Sequence, residues 1–259
     1  MRRSRFSALA VLLALAALVS GAWAQSRSYR RLPAPTAATW NAAPFRAGEK
    51  LEYRIGWMSL TTAAGAVLSV VQEQSFYGDA AWHFRATADT QNALRYLMAL
   101  DDQFDSYAET GTLATRQYEL YLDEQGRRAT RRLRLNGGGA GAEAVAAPAG
   151  TRDPLAALYE LRAVDWNRTR ELHSPIFDGN RFYQMQARVA AAHDEVAVPA
   201  GRFDAARIAV LVTPDDRRAS PMEFTVWLAN DRARTPVRVD AEVPVGTVKG
   251  ELLRIDSGR

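Results

Sequence analysis

The commonest pattern along the chain is a strict alternation of apolar and polar residues over short runs. The runs are Leu51–Trp57, Trp82–Ala88, Tyr118–Leu122, Phe224–Leu228 and Val237–Ala241. A period of two places the apolar side chains on one face of a strand, as in an antiparallel sheet with one buried face. The pattern therefore predicts half-buried antiparallel strands.

Residues that favour turns separate these runs at short intervals. Examples are Tyr77-Gly78-Asp79, Asp178-Gly179-Asn180, Pro199-Ala200-Gly201 and Asn230-Asp231. Short strands with frequent turns indicate a curved antiparallel sheet, an open β-barrel or a sandwich. The pattern does not decide between an open and a closed sheet. The glycine-rich stretch Asn136–Gly150 is predicted to be a loop.

One segment has the spacing of a helix. Asp153 is a suitable N-cap, and Pro154 suits the first turn because it lacks the N–H group that would have no partner there. The residues that then fall on one helical face are Leu155, Leu158, Tyr159 and Arg162. The fold class that we predict is mostly β, with one α-helix at about 153–166 covering the sheet.

The first 24 residues have the composition of a secretory signal peptide. Arg2, Arg3 and Arg5 precede the apolar run Ala8–Val19, which is short for a bilayer span of roughly 20 residues. Ala22-Trp23-Ala24 is a small-x-small cleavage pattern, so we expect cleavage after Ala24 and no transmembrane anchor afterwards. An uncleaved N-terminal anchor is the alternative.

The predicted organisation is a signal peptide (1–24), a flexible leader (25–44) rich in Ala, Pro and Thr, and a single β-rich domain (45–259). The chain has no cysteine, which argues against lipid attachment at the new N-terminus and against disulfides. We therefore expect a periplasmic protein that is not a lipoprotein.

Charge gives little support to a nucleic-acid partner. Without Arg2, Arg3 and Arg5, the chain has 30 basic and 29 acidic residues, and the two signs are interspersed. The densest basic run contains Arg127, Arg128, Arg131, Arg132 and Arg134. It is predicted to be a solvated hairpin, with contact to an anionic surface as the alternative.

Catalytic and metal-binding motifs do not stand out. The histidines His83, His173 and His193 lack zinc-site spacing, and no Gly-x-Ser-x-Gly or phosphate-binding glycine motif occurs. Asp101, Asp102 and Asp105 resemble a calcium loop only faintly, and we predict a solvated turn there. We predict no cofactor, no metal and no catalytic residues, and the hypothesis that the protein is an enzyme is the less favoured one.

The candidate ligand-binding residues centre on Arg162, which the helical spacing places on the sheet-facing side beside Tyr159. A buried guanidinium needs a partner, so Arg162 either forms a salt bridge to a strand carboxylate, or extends its charged end to the surface, or binds an anion at the rim of a cavity under the helix. Tyr53, Trp57 and Trp227 are the further candidates for lining such a cavity, although core packing is the commoner role of large aromatic residues.

Five segments resemble a known family when they are taken in order. They are Gly48–Tyr53, Asp153–Arg162, Val198–Ala205, Val226–Asp231 and Arg234–Val237. Together they resemble the bacterial domain-of-unknown-function family 3108. The resemblance implies an exported cell-envelope protein with a mostly β fold, and it implies no activity, cofactor or catalytic residue.

Three functional hypotheses follow. The first is a non-enzymatic periplasmic carrier that holds a lipid-like or amphiphilic molecule between sheet and helix, with Arg162 on the anionic head group. The second is a structural or assembly factor that binds another envelope protein through a sheet edge or the Arg-rich hairpin. The third is an enzyme acting on envelope polymers. The volume of the space beneath the helix distinguishes the first two hypotheses, because a carrier needs a cavity there and a tightly filled interior rules it out.

Overall fold

The structure is a computed structural model that describes residues 42–91, 95–96, 99–139, 141–215, 220–243 and 246–258. The predicted signal peptide and nearly all of the predicted leader lie outside these ranges. Among the described residues, no helix is long and apolar enough to cross a membrane. The helix α1 spans Pro154–Ala163.

Thirteen strands make up the sheet in the described part of the chain. In chain order they are β1 Lys50–Trp57, β2 Leu60–Phe76, β3 Asp79–Thr90, β4 Asp101–Glu109, β5 Thr115–Glu124, β6 Arg127–Leu135, β7 Glu143–Val145, β8 Glu171–Phe177, β9 Phe182–Val198, β10 Gly201–Pro214, β11 Met222–Ala229, β12 Pro236–Val243 and β13 Gly246–Asp256.

The sheet is built from two runs of sequential strands that meet where the ends of the domain pair. The strand order is β7 to β1 in descending order, followed by β13 to β8. Strands that pair are therefore consecutive in sequence, except for β1 and β13, and the consecutive strands β7 and β8 do not pair. The sheet does not close, and β7 and β8 are its edges. The predicted mostly β, antiparallel architecture is confirmed.

The glycine-rich stretch departs from the prediction of a plain loop. It contains β7, which pairs with β6 in parallel, the one parallel strand pair in the described sheet. Asn136, just after β6, holds the end of β7 beside it: its N–H donates to the Val145 carbonyl, and its Oδ1 accepts from Ala147 N. Local composition could not reveal this strand, because its pairing depends on the turn before it.

The predicted alternation matches the burial along the strands. In β11, Phe224, Val226 and Leu228 are buried, while Thr225 and Trp227 are only partly buried. The inward residues of both halves join one core that also includes Phe45, at the predicted start of the domain. A single core therefore extends across the whole sheet.

Helix α1 begins as its sequence predicts. Asp153 is the N-cap, and its Oδ1 accepts from the backbone N–H groups of Leu155 (2.8 Å) and Ala156 (3.0 Å). Its Oδ2 accepts from the hydroxyls of Thr115 (2.7 Å) and Ser106. The cap thus ties the helix start to β4 and β5. The helix ends at Ala163, three residues before the predicted end.

Burial on all sides distinguishes α1 from the expected one-sided helix. All ten of its residues are buried, and it packs against β3, β4 and β8. The predicted helix packed on the sheet is confirmed, and it is buried more completely than its one predicted apolar face required. Its other side chains are proline, alanine, leucine or a charged residue with a buried partner.

The segment entering α1 also connects the two halves of the sheet. Thr115 N donates to the Thr151 carbonyl (2.9 Å), and Arg152 N donates to the Pro175 carbonyl in β8 (2.9 Å). Phe177 N returns a bond to the Arg152 carbonyl at 2.8 Å. Two residues therefore bridge β5 and β8 where the sheet is open, and the chain then turns inward.

Replacing Asp153 by Ala tests this junction. We expect a loss of about 3 kcal/mol in the free energy of unfolding, because the cap is lost and buried hydroxyls of Ser106 and Thr115 lose their acceptor. Urea denaturation measures it. The control Asp231→Ala removes a carboxylate from an exposed turn. A loss below about 1 kcal/mol at Asp153 would contradict the assigned role.

Candidate functional site

Arg162 forms a buried, bidentate ion pair with Glu49, the residue before β1. The Nη1–Oε1 and Nη2–Oε2 distances are 2.6 and 3.0 Å, and Nη2 also donates to the Ala233 carbonyl at 3.1 Å. Arg162 is 0% exposed and Glu49 is 6% exposed. The observed contact is the salt bridge that the sequence allowed as an alternative to anion binding.

Tyr159 and Tyr53 lie in the same cluster as Arg162. The Tyr159 ring stacks on Phe84 with 3.8 Å between ring centroids, and the Arg162 guanidinium lies 5.2 Å from the Tyr159 ring. Tyr53 donates its hydroxyl to the Pro236 carbonyl at 2.7 Å. Burial raises the pKa of both tyrosines, so both are neutral. Three of the five predicted residues are thus brought together.

Trp57 and Trp227 are placed elsewhere. Trp57 lies at the far end of β1 from Glu49 and packs partly against the core. Trp227 alternates with the buried residues of β11 and points outward, where its Nε1 donates to Asp194 at 2.9 Å. The Arg238 guanidinium lies 4.8 Å from the Trp227 ring. The structure does not bring these tryptophans to Arg162.

A second buried ion pair holds another side of α1. Arg152 Nη2 lies 2.8 Å from Glu160 Oε1, and the Ser174 hydroxyl donates to Glu160 Oε2 at 2.7 Å. Arg152 also donates to the carbonyls of Gly150 and Thr112, both at 2.7 Å. Burial raises the pKa of Glu160 to about 7, although Arg152 and Ser174 oppose this rise. Sequence analysis missed this pair.

The C-terminus of α1 is held by a third arginine. Arg234, from the loop between β11 and β12, donates through Nη1 to the carbonyls of Ala163 (2.9 Å) and Arg162 (3.2 Å). A cation at this position satisfies carbonyls that have no partner within the helix and complements the helix dipole. Both ends and two sides of α1 are therefore bound to the surrounding sheet and loops.

Strand β4 carries buried acids where a solvated turn was predicted, and that prediction was wrong. Asp101 is exposed, but Asp102 and Asp105 are 3% and 1% exposed. Asp105 accepts from His83 (2.5 Å), Arg85 (2.8 Å) and Gln103 (2.6 Å) on the outward face. Because β4 is a strand, Asp101 and Asp105 lie on its outward face and Asp102 lies on its inward face. A search for the spacing of a turn or a calcium loop does not consider this alternation.

Asp102 points inward and is less well paired. Its Oδ1 accepts from Asp123 N at 2.9 Å, and its Oδ2 has no partner among the described residues. Burial raises the pKa of Asp102 to about 7; the Asp123 N–H opposes the rise, and the nearby charges of Glu124, Asp101 and Asp123 add to it. Asp102 therefore gains a proton more easily than an exposed aspartate does.

The outside of the protein has a shallow, open recess at the β9–β10 hairpin that sequence analysis did not anticipate. Its volume is about 480 Å³, and it is lined by His193, Asp194, Glu195, Arg202, Phe203 and Asp204. Asp204 accepts from Asn230 Nδ2 and is paired with His193 Nδ1, both at 3.0 Å. Two of the family-like segments, Val198–Ala205 and Val226–Asp231, meet behind this recess through Asp204 and Asn230. Sequence analysis interpreted Pro199-Ala200-Gly201 and Asn230-Asp231, within these two segments, only as turns.

The sequence itself is matched to a family over most of its length. Residues 52–253 match the family described as protein of unknown function DUF3108. The chain belongs to this family. The resemblance drawn from the five segments is thereby confirmed, and no curated protein matches the chain.

One solved structure supports the fold of this DUF3108 member, and two others are similar at lower TM-scores. A β-barrel-like protein of the DUF1849 family from Brucella abortus has a TM-score of 0.54 at 12% identity, over 82% of this chain and 98% of that chain. A candidate lipoprotein from Parabacteroides distasonis has a TM-score of 0.39 at 11% identity, over 85% and 100%. A candidate exported protein with a YmcC-like fold from Bacteroides fragilis has 0.33 at 11%, over 85% and 99%. The first likeness supports the fold alone.

A mutational cycle on Arg162 and Glu49 tests the ion pair. Arg162→Met and Glu49→Met should each cost about 3–5 kcal/mol in urea denaturation, because each leaves a buried charge without its partner. The double variant should recover most of that loss. The control Arg254→Met removes one member of an exposed pair with Glu52 and should cost no more than about 1 kcal/mol. Strictly additive losses would contradict a coupled pair.

The raised pKa of Asp102 predicts a pH dependence. Because the folded chain keeps this proton to higher pH than the unfolded chain, the stabilisation is complete below the ordinary value of 3.8 and is lost as pH rises through about 7. The urea midpoint should therefore fall from pH 5.5 to pH 8. Asp102→Asn should reduce this fall, whereas Asp231→Asn, in an exposed turn between β11 and β12, should not. An unchanged slope in Asp102→Asn would contradict the assignment.

Proposed function

We propose that this DUF3108 protein is exported to the periplasm, where it acts as a non-enzymatic structural or assembly factor that binds another cell-envelope protein. The signal-like N-terminus motivates the location, with cleavage after Ala24. The observation that carries the proposed role is the occupied interior of the sheet. It favours this role over that of an amphiphile carrier.

A carrier needs a space lined by the inward residues of its strands. Here those residues pack against α1, all of whose residues are buried. Arg162, the group expected to hold an anionic head group, has both Nη atoms within hydrogen-bond distance of Glu49. Admitting an amphiphile would require removal of the helix and separation of two buried ion pairs, so the exterior is the better candidate for binding.

Among the exterior surfaces, the Arg-rich hairpin is a poor candidate. Arg128 pairs with Asp123 at 2.8 Å, and Arg131 pairs with Glu143 at 3.1 Å and donates to the Gly179 carbonyl. The free edge of β8 is shortened by the bridge to Arg152. The recess beside Asp204 is open to solvent and combines charged and aromatic side chains, so it is the surface that we assign to the partner.

Native mass spectrometry of the protein, isolated from cells that make the full-length chain, tests this role. Cells are treated before lysis with a carbodiimide, which couples carboxylates of this chain to amines of a bound partner. We expect a chain that begins at Gln25, without a small molecule of a few hundred daltons, and a cross-linked complex of defined mass with a second protein. An amphiphile that is released only on denaturation would support the carrier instead, and a chain that still begins at Met1 would contradict export.

A further inference from the structure

The turn that follows α1 presents one asparagine to solvent. The sequence Asp165-Trp166-Asn167-Arg168-Thr169 lies between the helix and β8, and Asn167 and Arg168 are exposed. Asn-x-Thr, with any residue except proline in the middle, is the acceptor sequence for N-linked glycans in exported proteins. Such a short match occurs by chance in many chains, so the local structure has to show whether this asparagine is suited to be an acceptor.

Two residues before Asn167 hold the turn in place. Trp166 is 9% exposed and donates its Nε1–H to a backbone carbonyl of α1 at 2.8 Å, which anchors the turn to the helix. The Asp165 carbonyl accepts from the N–H groups of Arg168 (3.1 Å) and Thr169 (2.9 Å). Asp165 Oδ1 accepts from Asn167 N at 3.1 Å, as aspartates in turns commonly do. These contacts fix the backbone and leave Asn167 at the outer end of the turn.

The side-chain amide of Asn167 differs from those of the other asparagines. The chain has six asparagines, and only Asn167 is followed two positions later by Ser or Thr. Within the described ranges, Asn167 makes a hydrogen bond only through its backbone N–H. In contrast, Asn136, Asn180 and Asn230 each use the side-chain amide in a hydrogen bond to another part of the chain. The acceptor sequence and an exposed, unbonded amide therefore coincide at one residue.

The surroundings of Asn167 suit the attachment of a large group by an enzyme. Because Asn167 and Arg168 face solvent, a bulky group on the amide would displace no buried residue. The Asp165 carboxylate is partly buried and holds the Asn167 N–H, and it takes part in no ion pair within the described part of the chain. It therefore offers a negative charge, two positions before the amide, to a basic group of an enzyme that acts there.

We propose that Asn167 is the attachment site of an N-linked oligosaccharide, which a membrane-bound transferase adds after export. The export itself rests on the proposed function. The donor is an oligosaccharide carried on a polyprenyl pyrophosphate. Asn167 Nδ2 forms a bond to C1 of the first sugar, while the bond between C1 and the pyrophosphate oxygen breaks. The polyprenyl pyrophosphate leaves with the electron pair of that bond, and the amide gives a proton to a base of the transferase.

Peptide mass spectrometry of the chain, isolated from the cells that naturally produce it, tests the site. We expect the peptide that contains Asn167 to carry a covalent mass of successive sugar units, which remains after denaturation. Asn167→Gln and Thr169→Ala should lose this mass completely, whereas Thr169→Ser keeps the hydroxyl and should retain it. Asp165→Asn keeps the acceptor for the turn but removes the charge, so it should lower the glycosylated fraction severalfold. The matched control Asn180→Gln, at an asparagine outside an acceptor sequence, should leave that fraction unchanged.

The N-terminus found in the same sample separates this proposal from the proposed export. A chain that begins at Gln25 with an unmodified Asn167 would overturn the glycan and leave export standing. An unmodified chain that still begins at Met1 would contradict both, and a glycosylated chain that begins at Met1 would contradict cleavage but support the site. A glycan that persists in Asn167→Gln, or that is equally abundant in Thr169→Ala, would also overturn the proposal. None of these results bears on the protein partner, which the cross-linking experiment tests.

Discussion

The structure depends on the neutralisation of charge inside the sheet. Helix α1 is buried on every side, yet it carries Glu160 and Arg162. A buried charge without a partner destabilises the folded state severely, so the helix can occupy this position only because Arg152 and Glu49 accompany it. These partners come from the segment that bridges the open sheet and from the residue before β1, so the ion pairs couple the helix to both halves of the fold.

This arrangement explains how an open sheet of thirteen strands can be stable without closing. The edges β7 and β8 do not pair with each other, but Thr151 and Arg152 bond to β5 and β8 on the way into the helix. The Asp153 cap then fixes the helix start to β4 and β5. The apolar side chains of the helix fill the interior, which in a closed barrel would have to be filled by strand side chains.

Sequence reasoning succeeded where the determinants are local. The alternation in β1, β3 and β11, the Asp153–Pro154 helix start and the ordered family segments are all properties of neighbouring residues. The complete burial of α1 also had a local signal, because between Pro154 and Ala163 only Glu160 and Arg162 are charged, and a helix apolar on all sides is usually buried. The spacing of Leu155, Leu158 and Tyr159 drew attention to one face only.

The features that could not be predicted join distant parts of the chain. Glu49 and Arg162 are 113 residues apart, and Asp204 and Asn230 are 26 residues apart on different hairpins. Their partners become apparent only after the strand order is known, since the β1–β13 contact brings the ends of the domain together. The placement of Asp102 on the inward face and Asp105 on the outward face of β4 likewise could be predicted only once the bounds of that strand were known.

Hydrogen exchange of the α1 amides in the native protein tests the central claim, that the helix is an integral part of the core. If the account is correct, these amides exchange as slowly as those of the central strands β1 and β13 and only through global unfolding. If α1 instead exchanges through a local opening while the strands stay protected, the helix is a movable cover over a ligand space. That result would contradict the account.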